Sequence, residues 1–145
     1  MKLVLLITLL FAIALVRAGR EIKPRTADDI LQHLQGNNYN IYLIYFYESS
    51  NRDEKSVSGG QDIQKALSNV IDSNPELFSA KVDLSDREFS RLGSVVGLNL
   101  APAVLMIVHG KGVWLSGTNA NLMMDRLRDF MPAFKQASAH HSNPY

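Results

Sequence analysis

Ile41-Tyr42-Leu43-Ile44-Tyr45-Phe46-Tyr47 is the stretch that decides how this chain is read. Its residues are β-branched, aromatic or aliphatic and carry no charge, and the run closes at Glu48 and a polar stretch. A short run with no polar alternate reads as a strand buried on both faces, which requires a sheet covered by helices on each side. The remaining elements are then those that pair with this strand or pack over it.

Toward the N-terminus, Thr26-Ala27-Asp28-Asp29 joins an N-cap residue to an acidic first turn. It predicts a helix to about Gln35 with Ile30, Leu31 and Leu34 buried. Toward the C-terminus, residues 49–60 read as a polar loop, and a helix over Gln61 to Ile71 presents Ile63, Ala66, Leu67, Val70 and Ile71 on one face. Leu77 to Asp83 reads as a strand. Ser85-Asp86-Arg87-Glu88 has the capping-box pattern and predicts a helix through Leu92 to about Val96. Gly97 to Pro102 turns into the apolar strand Ala103 to Val108, and His109-Gly110-Lys111-Gly112 forms a hairpin turn back through Val113-Trp114-Leu115-Ser116. Thr118 or Asn119 caps a last helix with Leu122, Met123, Leu127, Phe130, Met131 and Phe134 as its apolar stripe. The order is α-β-α-β-α-β-β-α: parallel β-α-β units first, a hairpin and terminal helix last.

Composition narrows the function. A hydrophobic content of 46% with 20% charged residues is that of a globular domain, and a formal charge of +1 gives nucleic acid no electrostatic footprint. The chain has 0 cysteines, which excludes a disulfide framework, a thiolate metal site and thiol redox catalysis together.

Residues 1–18 read as a signal peptide or signal anchor. Lys2 precedes Leu3 to Val16, where only Thr8 is polar, and Val16-Arg17-Ala18 offers small residues at a cleavage site before Gly19. As a helix this segment reaches about 27 Å, just short of a roughly 30 Å hydrocarbon core, so a retained anchor with Arg17, Arg20 and Lys23 at the interface stays open beside cleavage. The division expected is 1–18 targeting segment, 19–25 linker, 26–136 folded domain and 137–145 polar tail.

With these residues in this order, the chain resembles the thioredoxin-like family. Leu43-Ile44-Tyr45-Phe46-Tyr47 followed by Glu48 looks like the family's central strand entering its active-site loop. Lys81-Val82-Asp83 looks like the next strand, and Gly97-Leu98-Asn99-Leu100-Ala101-Pro102-Ala103-Val104-Leu105-Met106 is similar to the segment holding its cis-proline. The match spans about residues 26–136 and implies an α/β fold: a mixed four- to five-stranded sheet flanked by helices, here preceded by an N-terminal hydrophobic helix. The resemblance places the family's Cys-x-x-Cys near Asn51-Arg52-Asp53-Glu54 and its buried acid at Tyr45, so neither part of the dithiol mechanism is present. The expectation is a redox-inactive member that is not an enzyme.

What the resemblance leaves is a groove. Pro102 either completes a turn only or, with Ala101 and the loop at Asn51, Arg52, Asp53 and Glu54, forms a site for an extended peptide or partner. Arg52 to Lys55 also suits a solvated loop. Trp114, on an edge or near-edge strand, is either core or an interface anchor. His140-His141 lacks chelating geometry, Ser58-Gly59-Gly60 lacks the Lys-Ser/Thr of a phosphate loop, and no metal, cofactor or nucleic acid is expected. The reading is a non-catalytic scaffold or interaction module. With residues 1–18 retained, it is an accessory subunit of a multi-subunit membrane complex in the ER or another membrane such as the mitochondrial inner membrane. With them removed, it is a secreted or ER-lumenal polypeptide-binding domain with protein partners and no redox activity.

Overall fold

The computed structural model describes residues 20–35, 38–96, 98 and 101–142. The expected hydrophobic helix at 1–18 and the turn residues Gly97, Asn99 and Leu100 lie outside the described residues. Among these the elements run β1 (Arg20–Glu21), α1 (Ala27–Leu34), β2 (Ile41–Tyr47), α2 (Glu54–Ser73), β3 (Phe78–Asp83), α3 (Leu92–Val95), β4 (Ala103–Val108), β5 (Lys111–Ser116) and α4 (Ala120–Ser142).

The sheet is mixed and five-stranded, in the order β1-β3-β2-β4-β5. β2 sits at its centre, parallel to β3 and antiparallel to β4. The first six residues of β2 are buried, as a strand covered on both faces requires. Alternation then divides the core. Ile41, Leu43 and Tyr45 meet Ile63 and Leu67 of α2 and Met123, Met124, Leu127, Met131 and Phe134 of α4. Tyr42, Ile44 and Phe46 meet Ile30 and Leu34 of α1, with Phe89 and Leu92. The result is a three-layer α/β/α domain of thioredoxin-like architecture.

Several boundaries differ from those read in the sequence. Arg20 and Glu21, placed in a linker, form a two-residue edge strand on β3; both are exposed, so no apolar pattern marked them. α2 begins at Glu54 rather than near Gln61, because Asp53 is its N-cap and accepts the Ser56 N–H at 3.0 Å. Ser85 caps no helix. Its hydroxyl lies 2.7 Å from the Ser50 hydroxyl, its N–H donates to Asp83, and Asp86 accepts the Glu88 N–H, so residues 84–91 form turns before the four-residue α3. Asn119, not Thr118, caps α4, accepting the Leu122 N–H at 3.1 Å. α4 buries a face rotated from the expected stripe: Met124 is inside, while Leu122 and Phe130 are exposed. The helix also continues to Ser142, through residues read as a polar tail. No helix among the described residues is long and apolar enough to cross a membrane.

Candidate functional site

The C-terminal ends of β2 and β3, the start of α2 and the turn before β4 converge at one pole of the sheet. Two hydrogen-bonded links tie the loops there. Asp83 accepts the Ser49 and Ser85 N–H groups, each at 3.0 Å, and Ser85 accepts the Ser50 N–H at 3.1 Å. Burial opposes ionisation of Asp83, but the hydrogen bonds from Ser49 and Ser85 outweigh it and hold the carboxyl below its ordinary range. The β2–α2 connection is thereby fixed to the β3–α3 connection.

Between these loops and α2 opens a cleft of about 160 Å³, lined by Tyr45, Tyr47, Glu48, Ser49, Asn51, Ser56, Val57, Gly60, Gln61, Gln64, Ala101 and Pro102. Tyr45 and Tyr47 stack at 5.4 Å, and the Tyr45 hydroxyl donates to the Gly60 carbonyl at 3.3 Å. Burial raises the pKa of both phenols, with Tyr47 raised further by the charge of Asp83, so both are neutral hydrogen-bonding groups at neutral pH. The Ala101–Pro102 peptide bond is cis. Among the described residues, none hydrogen-bonds the Ala101 backbone, while the Pro102 carbonyl accepts the Gly117 N–H at 3.3 Å.

The lining is therefore proline, Val57 and tyrosine rings set among amides and hydroxyls, with Glu48 its one carboxylate. It contains no thiol, imidazole or amine, and no dithiol exchange takes place here. Among the described residues no group of acids and histidines is arranged to hold a metal ion.

The residues singled out in the sequence divide. Asn51, Ala101 and Pro102 line the cleft together. Arg52 is exposed outside it, Asp53 caps α2, and Glu54 is the exposed first residue of that helix. Trp114 is not at this site. It lies half-buried on the α1 side of the sheet, its ring 5.3 Å from that of Phe46. Ser56 and Val57 were missed because they lie on the part of α2 that precedes the expected start at Gln61, while Gln61 and Gln64, inside the expected helix, face the cleft only through the packing of α2 on the sheet. The available signal was Asp53 itself, an N-cap residue with Ser56 three positions on. Gly59 and Gly60 serve packing rather than anion binding: a Cβ on Gly59 would lie 2.7 Å from Thr118 O, and one on Gly60 3.0 Å from the Tyr45 hydroxyl.

No protein-family model matches the sequence, and no curated protein matches it. Solved structures do match the fold. Thioredoxin O2 from Arabidopsis thaliana superposes with a TM-score of 0.64 at 10% identity, over 77% of this chain and 95% of that one. Thioredoxin f from spinach chloroplast gives 0.62 at 11% identity, over 83% and 89%. Thioredoxin from Fasciola hepatica gives 0.58 at 19% identity, over 76% and 97%. The chain has the thioredoxin fold and lacks the cysteines that dithiol chemistry needs.

Proposed function

We propose that the domain is a non-catalytic interaction module that binds an extended segment of a partner protein in the cleft beside Pro102. One observation carries this reading: an Ala101 backbone with no hydrogen-bonding partner among the described residues borders a cleft in which Pro102, Val57 and the Tyr45 and Tyr47 rings alternate with amides and hydroxyls. An extended peptide offers the complement, since its main-chain N–H and C=O groups pair with an available backbone edge while Asn51, Gln61 and Gln64 bind its remaining polar groups. A carboxylate- or phosphate-bearing ligand finds no cation in the lining.

The apolar sequence of residues 3–16 supports delivery to, or retention at, a membrane. The module is then an accessory subunit of a membrane-associated assembly, and a cleaved form would be a lumenal or secreted polypeptide-binding domain. The test is a backbone-amide NMR titration with an unfolded, cysteine-blocked polypeptide. Resonance shifts confined to Ala101, Asn51, Gln61 and Gln64, abolished by Gln61→Lys with Gln64→Lys, support the reading. Shifts absent across several such polypeptides, or centred elsewhere, overturn it.

A further inference from the structure

We propose that the pole of the domain opposite the cleft is a membrane-facing surface, with the groove between the β4–β5 hairpin and the C-terminal half of α4 seated against anionic lipid headgroups. The inference rests on the reading of residues 1–18 as a retained anchor and extends it to orientation.

Register supplies the geometry. Arg20 pairs with Phe78, Phe78 with Tyr42, Tyr42 with Ile107 and Ile107 with Gly112, so one row crosses the whole sheet. At about 4.8 Å per strand, Arg20 stands about 19 Å from Gly112 on the same level. The described chain therefore begins, at Arg20, on the row that ends at the groove. Tyr47, at the cleft, lies five positions further along β2, about 17 Å away. A bilayer carrying the anchor meets the hairpin end first and leaves the cleft facing away.

The groove has the chemistry of that contact. It encloses about 350 Å³, with Val108, Val113, Phe134 and Ala137 as its apolar walls. Its rim carries exposed Lys111 and the Tyr39–His109 pair, whose rings stack at 4.3 Å. Apolar walls under an aromatic and cationic rim suit the headgroup–acyl boundary, where aromatic rings concentrate and each lysine near an anionic surface adds attraction. Among the described residues no acid lines the groove. The acids at this end sit beyond it, toward β1 and the end of α2: Glu76 is paired with Lys135 at 3.1 Å, and Glu21 and Asp72 line a separate pocket on the β3 side.

The absence of cysteine makes the test direct. The full chain, as Ala133→Cys or as Arg52→Cys, carries one fluorophore at the groove or one beside the cleft; both positions are exposed. Each is reconstituted in vesicles of phosphatidylcholine and phosphatidylglycerol containing a headgroup nitroxide quencher. The expected result is quenching several-fold stronger at residue 133 than at residue 52. Equal quenching, or stronger quenching at 52, in protein that co-sediments with the vesicles overturns the orientation alone. Protein that does not co-sediment overturns the anchored reading and the orientation with it.

Discussion

Replacing Gly59 with alanine sets two opposing effects against each other. In an exposed helix interior, Gly→Ala stabilises by about 0.5–1 kcal/mol because glycine loses more backbone freedom on folding. Gly59, however, is buried in the second turn of α2 against the turn that leads from β5 to α4. An ideal Cβ would lie 2.7 Å from both the Cβ and the carbonyl oxygen of Thr118, and 3.0 Å from its Cα. Two of those atoms are backbone, so relief requires moving the turn rather than turning a side chain. That turn holds Asn119, the cap of α4, so displacement also loosens the Asn119–Leu122 hydrogen bond. Overpacking costs about 1–3 kcal/mol, and a clash with backbone belongs in the upper half of that range, about 2–3 kcal/mol; with the propensity gain of about 0.5–1 kcal/mol subtracted, Gly59→Ala is expected to destabilise by about 1–2.5 kcal/mol. Gly60→Ala is the internal control: its Cβ would meet only the tip of the Tyr45 side chain at 3.0 Å, which can yield by a few tenths of an ångström. Urea unfolding of the three proteins, with unchanged m-values, reads the difference as a midpoint shift. A Gly59→Ala variant as stable as the parent, or more stable, refutes the argument that close approach of α2 to Thr118 positions the wall of the cleft.

Two further outcomes follow from the same contacts. The Asp83 pKa is lowered in the folded state from its ordinary 3.8, so its stabilising effect is complete above about pH 4 and is lost as pH falls through the folded value. Asp83→Asn should therefore lower the melting temperature most at neutral pH, with the gap to the parent closing toward pH 2; a gap independent of pH would show that the carboxylate charge is not what ties the loops. Trp114→Ala should cost about 2 kcal/mol, roughly half the value for a fully buried aromatic, because only part of the ring is covered by Phe46 and its neighbours. Thermal unfolding checks it, and a near-neutral result would show that the Phe46–Trp114 contact adds little to the fold.

Several elements of the site were written locally and others were not. The cleft's far wall, Ala101-Pro102, and its loop residue Asn51 were legible because a proline entering an apolar strand and a polar stretch leaving a buried one are local patterns. The near wall was not. Whether Ser56 to Gly60 is loop or helix depends on Asp53 acting as a cap. Gly59-Gly60 reads as a loop signal, and the structure uses both as close-packed helical residues. Ser85 shows the opposite failure. Its sequence matches a capping box, yet its hydroxyl is engaged by Ser50, 35 positions earlier in the chain.

The sequence by itself determined the central strand, the order of the elements from Ala27 onward and the absence of thiol chemistry. Apolar runs, their periods and a missing residue type are properties of the chain whatever it contacts. Tertiary structure decided which face α4 buries, where α2 begins, that Arg20 and Glu21 form an edge strand, and that Tyr45, Gln61 and Gln64 line the cleft with Pro102. Those outcomes depend on hydrogen bonds and packing between residues far apart in the chain, for which local propensity holds no information.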